Sequence, residues 1–287
     1  TITGVGNYTG TVTQTFTILP KVIEVTANSN TKVYDGIELR DNGSFISLGT
    51  LIPGHSYTAD VTGTQTNVGQ TANIAGAVTI SDASNNDVTS NYAISYIEGI
   101  LTVTPLAVTV TPDVLSKTYG EEDPALTFTL SATTSATLEV SGALTRAIGS
   151  DVGLYEIELG TITNTNYIIT LNPENFTINT KTLTVTASDV TKVFDNQPAE
   201  GFSAVYQGFI LGEGPDDLGG SLLYGGSAIT AVNYGNYTIT ISGLTSENYT
   251  INYLPGILTI EIGLDTDSDG IPDLIDLDQD DDGFSNQ

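Results

Sequence analysis

The sequence has no cysteine and no methionine, a single histidine, and only seven lysines and arginines against 34 acids. Without cysteine there is no disulfide, no thiolate metal site and no thiol nucleophile. The chain must therefore be held by β packing, with a bound metal as the other available staple. The lone His55 lies in the turn-like stretch Pro53-Gly54-His55-Ser56, and no His-based zinc motif, Gly-x-Ser-x-Gly elbow or phosphate-binding glycine loop occurs. Glu121-Glu122-Asp123 sits beside Pro124 and reads as a solvated turn. The chain is read as not an enzyme, with no catalytic residues. A formal charge of −27 leaves no basic patch to neutralise phosphates, so nucleic acid and anionic lipid are excluded as partners. No apolar run approaches the roughly 18 residues that span a bilayer, and no signal peptide opens the sequence. Secretion signals and anchors are expected outside this segment. The missing methionine likewise points to a piece of a longer chain.

What is present is threonine alternating with aliphatic residues, as in Thr11-Val12-Thr13-Gln14-Thr15-Phe16-Thr17-Ile18 and Leu106-Ala107-Val108-Thr109-Val110-Thr111. Strict alternation marks half-buried strands, and the branched Cβ of threonine fits the wet side of the pleat. No long segment has a 3.6-residue period. The best short-helix candidate is Ser135 to Val140.

Three landmarks recur. An aromatic turn appears as Lys32-Val33-Tyr34-Asp35-Gly36, Lys117-Thr118-Tyr119-Gly120 and Lys192-Val193-Phe194-Asp195-Asn196, with Val25, Val110 and Val185 each nine residues upstream of the aromatic. A glycine turn opens an alternating stretch at Asn67-Val68-Gly69, Asp151-Val152-Gly153 and Tyr234-Gly235. An Asn-Tyr pair precedes a last strand at Asn91-Tyr92, Asn166-Tyr167 and Asn248-Tyr249. These read as packing and turn residues: Asn and Gly set turns, and each tyrosine buries its ring while its hydroxyl reaches backbone or water. The lysines are expected to be solvated or paired with nearby acids. The organisation is then residues 1–20 as the last strands of a preceding repeat, β repeats at 21–104, 105–179 and 180–262, and a different segment at 263–287. Each repeat is an immunoglobulin-like sandwich or a β-grasp-like sheet with one short helix, and the tandem of small β domains is expected to form a rod. Residues 1–19, with Val12, Phe16 and Ile18, are expected to pack on the next repeat or on a neighbouring chain.

The last 23 residues carry nine Asp and no Lys or Arg. A twelve-residue loop counted from Asp265 puts Asp267, Asp269, Gly270, Asp273 and Asp276 at positions 3, 5, 6, 9 and 12, with the Ile271 carbonyl at 7. Those are oxygen-ligand positions of a Ca2+ loop, with glycine at the sharp turn. A second, truncated loop starts at Asp278, with Asp280 and Asp282. Magnesium, which demands stricter octahedral geometry, fits less well. Position 12 is Asp rather than Glu, Pro272 interrupts, and no flanking helix is visible. The spacing resembles thrombospondin type 3 calcium repeats.

Tyr119-Gly120, Asp123-Pro124, Gly142-Ala143-Leu144-Thr145-Arg146, Val152-Gly153-Leu154-Tyr155 and Asn166-Tyr167 together resemble the MBG and YDG repeats of large bacterial surface adhesins. The likeness extends in looser form over residues 1–262, with Phe194-Asp195-Asn196 a departure. It implies a structural repeat region on the bacterial cell surface, secreted and extracellular. The partners expected are calcium, neighbouring repeats of the same chain, and surface glycans or proteins; the alternative reading is a carbohydrate- or protein-binding module with its site in the loops of one repeat.

Overall fold

The computed structural model describes residues 1–133, 137–266, 268, 273, 276 and 277. Strands β1 (Ile2–Thr3) and β2 (Thr11–Val12) form a small hairpin. Then come β3 (Lys21–Ala27), β4 (Asn30–Val33), β5 (Ser44–Leu48), β6 (Ser56–Thr62), β7 (Gly69–Ser81), β8 (Tyr92–Ile97) and β9 (Gly99–Thr104). They make a three-stranded sheet ordered β5-β3-β8 and a four-stranded sheet ordered β4-β9-β7-β6.

The same pattern is built twice more. Strands β10 (Leu106–Pro112), β11 (Ser116–Thr118), β12 (Phe128–Ser131), β13 (Thr145–Arg146), β14 (Gly153–Glu158), β15 (Tyr167–Leu171) and β16 (Asn175–Asn179) give sheets β12-β10-β15 and β11-β16-β14-β13. Strands β17 (Lys181–Ala187), β18 (Val190–Val193), β19 (Ala204–Gln207), β20 (Gly219–Gly225), β21 (Gly235–Thr245), β22 (Tyr249–Leu254) and β23 (Gly256–Glu261) give β19-β17-β22 and β18-β23-β21-β20. The protein is mainly β, with tandem small domains of one topology. Among the described residues the only helical turns are 3-10 turns at Thr89–Asn91 and Pro215–Asp217. Residues 137–140 are not helical, and 135 and 136 of the expected short helix lie outside the described residues. The β-grasp-like alternative with a helix therefore gives way to paired sheets.

By internal contact the chain divides into two compact units: 1–111 with 128–143 and 161–172, and 112–127 with 144–160 and 173–287. The first holds the whole of β3–β9 and the sheet β12-β10-β15. The second holds the sheet β11-β16-β14-β13 and the whole of β17–β23.

In the first unit, alternation in β3 turns Ile23, Val25 and Ala27 inward, where they meet Val61, Ala75, Val78, Ile80 and Tyr92. Each fully buried aliphatic side chain contributes about 1.5–3 kcal/mol. Val25, Val110 and Val185, the three valines that precede the aromatic turns, are all fully buried. A smaller cluster joins Leu39, Leu101 and Val103 to Tyr34 and Val68.

The first and last stretches of β3–β9 run side by side. Lys21–Thr26 pairs in parallel with Tyr92–Ile97, and Asn30–Val33 with Leu101–Thr104, with no change of register as both stretches cross from one sheet to the other. The crossing leaves no room for a side chain at Gly99, where a Cβ would lie 2.2 Å from the Asn28 carbonyl oxygen. Buried Asn73 closes the same spot, donating to the carbonyls of Asn28 (2.9 Å) and Asp41 (2.8 Å). Within this chain the next repeat does not cover residues 1–19: Val12, Phe16 and Ile18 are exposed, the last two at 84%. Only Ile18 and Leu19, with Pro20, border a cavity beside Ile52 and Asn91.

Candidate functional site

The recurring landmarks meet at two joints, one inside each unit. In the first unit the side chain of Asn166 takes the Val68 N–H (2.9 Å) on Oδ1 and donates through Nδ2 to Asn67 (3.1 Å). The ring of Tyr34 meets Tyr167 edge-on at 5.9 Å. In the second unit Asn248 does the same to Val152 (2.9 Å) and Asp151 (3.0 Å). Tyr119 meets Tyr249 edge-on at 5.5 Å. Edge-to-face aromatic pairs contribute about 0.5–1.5 kcal/mol beyond the area they bury. Thus the aromatic turn and glycine turn of one repeat form a plug, and the Asn-Tyr pair of the next repeat forms its socket.

Local chemistry holds each part in place. Lys32 and Lys192 reach Asp35 and Asp195, both at 2.6 Å, three residues on, and both also donate to backbone carbonyls of the turn. These contacts hold the carboxyl groups of Asp35 and Asp195 below the ordinary range, the lysine hydrogen bond being the first cause. Lys117 instead bonds Asp123 (2.7 Å), which also takes Arg146 (2.6 Å). Arg146, followed by Lys117, brings Asp123 down to about 2. The Arg146 guanidinium lies over the rings of Tyr155 and Phe176 at 4.8 and 5.1 Å. In the socket, each tyrosine hydroxyl accepts a backbone N–H from the loop above it: Ile52 to Tyr92 (3.0 Å), Glu139 to Tyr167 (3.5 Å) and Ile210 to Tyr249 (3.0 Å).

The second joint has a further element. Tyr119 and Tyr249 both donate their hydroxyls to the Glu213 carboxylate. That bond, followed by burial and the nearby negative charge, pushes the Tyr119 phenol well above its ordinary value. Burial is the first cause of a smaller rise at Tyr249, with Glu213 second. Gly120 is required here: its φ is +81°, and a Cβ would come within 2.2 Å of the Ile210 side chain. The first repeat carries the matching socket, with Ile52-Pro53-Gly54-His55 in place of Ile210-Leu211-Gly212-Glu213; His55 Nδ1 is 2.8 Å from the Tyr92 hydroxyl.

Of the aspartate loop, Asp265, Asp273 and Asp276 are described. Asp273 folds back on the loop start: it accepts from the Thr266 N–H and hydroxyl (both 2.7 Å), and its own N–H donates to the Leu264 carbonyl (2.6 Å). Asp267, Asp269, Ile271, Asp278, Asp280 and Asp282 lie outside the described residues. Among the described residues no cluster of three or more metal-ligating side chains occurs.

Sequence reasoning found the landmarks but missed the roles of Glu213, Ile210, Ile52 and His55, and the Arg146–Asp123 pairing. The repeated Ile-x-Gly immediately ahead of the bridging acid or histidine was the available signal.

The family model for the MBG domain (YGX type) matches residues 108–177 and 183–259, about half of the chain. The chain belongs to the MBG domain family. The Tyr-Gly of that type falls on Tyr119-Gly120, the plug whose glycine admits Ile210. The two matched MBG segments are the second and third repeats, and the first repeats their strand order. MBG domains are non-enzymatic repeat domains. No curated protein matches the chain. A crystal structure of Drosophila N-cadherin EC1-4 aligns with 85% of this chain and 73% of its own, at 10% identity and a TM-score of 0.23. Among the described residues no helix is long and apolar enough to cross a membrane.

Proposed function

We propose that this chain is a structural stalk of a secreted bacterial cell-surface adhesin or filament protein, with a C-terminal segment stabilised by calcium. The observation that carries the reading is the repetition of one joint: the same plug and socket residues recur at both joints, which is what a spacer built from copies of one part requires. Such a region carries a binding tip or presents weak multivalent contacts. A glycan and protein array tests it. The stalk reading expects no saturable binding, whereas binding that maps to one repeat would favour a ligand-binding module. That second reading draws support from an open, mostly polar depression beside loop 212–220, lined by Asp217, Thr245, Ser246, Glu247 and Asn248.

The calcium proposal rests on the aspartate spacing together with the return of Asp273 to Thr266, which closes the loop as a wrapped cation needs. Asp265, Asp267, Asp269, Asp273 and Asp276 with the Ile271 carbonyl would hold the first ion, and Asp278, Asp280 and Asp282 would begin a second site. Isothermal titration should give a dissociation constant of about 0.1–1 mM, the range of extracellular modules. Replacing Asp267 and Asp269 with Asn should abolish the heat; unchanged binding would refute the assignment.

A further inference from the structure

In the first and third repeats the two ends lie side by side as one parallel ribbon, and this arrangement has a mechanical meaning. In the first repeat Lys21 stands opposite Tyr92 and Val33 opposite Thr104, without a register change between. In the third, Lys181 stands opposite Tyr249, Thr186 opposite Leu254, Val190 opposite Leu258 and Val193 opposite Glu261. In the second, β10 pairs in parallel with β15 in one unit and β11 with β16 in the other. The aromatic turn adds a closing bond at the far end: Tyr34, Tyr119 and Phe194 each donate their N–H to the last strand, at Thr104 (2.8 Å), Asn179 (2.9 Å) and Glu261 (2.9 Å). The start of the ribbon is likewise tied, by the N–H of Leu106 to Asn166 and of Lys181 to Asn248, both 3.0 Å.

Tension along the chain enters a repeat at the start of its first strand and leaves at the end of its last. Because these strands are parallel, the two forces act at opposite ends of the ribbon and slide one strand along the other. The ladder bonds of parallel strands are evenly spaced, so they share the load and must fail together. Had the strands been antiparallel, the same tension would open the bonds one at a time.

We propose that this ribbon is a shear clamp, which makes the first and third repeats load-bearing elements. The clamp deepens the stalk reading and rests on it for its purpose. The third repeat has six ladder pairs before the crossing and four after it, the same numbers as the first.

The chain has no cysteine, so introduced cysteines give unique handles for single-molecule pulling. The full chain carrying Thr180→Cys and Ile262→Cys loads the third repeat in shear. The full chain carrying Gln197→Cys and Ile262→Cys places both handles at the aromatic-turn end and unzips the same ribbon. All three positions are exposed. A length increment of about 25 nm in the first geometry and about 22 nm in the second, at up to 3.6 Å per residue less the folded separation of the handles, verifies that the repeat was folded before each event. Forced unfolding reports the unfolding rate in each geometry. The expected result is a several-fold higher rupture force in shear than in unzipping at one loading rate. Equal forces, or a stronger unzipping geometry, would overturn the clamp while leaving the stalk reading in place. Saturable array binding by one repeat would overturn the stalk and leave the clamp standing.

Discussion

Removing the Glu213 carboxylate should loosen the second joint by a predictable amount. Tyr119 and Tyr249 are 6% and 5% exposed, and both hydroxyls point to this one acid. Glu213→Ala leaves the Tyr119 hydroxyl without its acceptor and the Tyr249 hydroxyl with only the Ile210 N–H as partner. An unsatisfied buried polar group costs about 1–3 kcal/mol; because Glu213 itself is half-buried, a total of about 2–3 kcal/mol is expected. At about 2–4 °C per kcal/mol for a unit of this size, Tm should fall by roughly 4–12 °C. Glu213→Gln keeps an acceptor and loses the charge, so it should cost about 1 kcal/mol. A second readout is phenol ionisation followed by ultraviolet absorbance. The raised Tyr119 value means that its contribution is fully present below the unfolded phenol value of about 10 and is lost as pH rises past it. Glu213→Gln should move this ionisation down and flatten the alkaline loss of stability. Tyr119→Phe combined with Glu213→Ala should be non-additive, because the two residues share one bond. A Tm change within about 1 °C for Glu213→Ala, or full additivity of the pair, would refute the account.

Asn166→Ala and Asn248→Ala each remove two hydrogen bonds across a joint and leave a valine N–H without its acceptor. Each should cost about 1–3 kcal/mol and broaden urea unfolding as neighbouring repeats uncouple; unchanged cooperativity would count against the joint. Asp123 is held at about 2 by Arg146 and Lys117. Its contribution is therefore present above about pH 4, the unfolded value, and lost as pH falls towards 2. Arg146→Ala should flatten this acid limb of the stability curve, read by circular dichroism. The effect is small, because Asp123 is 41% exposed and solvent screens the pair.

Much of this architecture was legible because it is local. Alternation marked β3, β10 and β17, and the shared upstream valine turned out to be a core position three times over. Tyr92 and Tyr249 bury their rings and Tyr167 half-buries its own, and each hydroxyl meets a backbone N–H. The lysines of the aromatic turns are paired with acids. What the sequence withheld is non-local. Alternation names a strand and is silent about its partner, so the parallel pairing of β3 with β8 could not be read. Asn166 and Asn248 read as turn residues, which they are, but their side chains act across a joint on Asn67-Val68 and Asp151-Val152, nearly one hundred residues upstream. The apolar pattern of residues 1–19 promised burial; alternation states which side chains would be covered and says nothing about whether a cover is at hand.

The placement of the joint residues also bears on how such a protein is copied. In the first and third repeats the socket residue lies at one end of the parallel ribbon, at Asn91 or Asn248, and the aromatic-turn residue at the other, at Tyr34 or Phe194. A gene segment duplicated in frame from one Asn-Tyr strand to the next would encode a unit already compatible on both sides, with no new surface to evolve. Recombination between copies can then lengthen or shorten the array while every interface stays in use. Single changes such as Phe for Tyr at 194, which deletes a hydroxyl, or His for Glu at 55 become the means by which individual junctions acquire characters of their own.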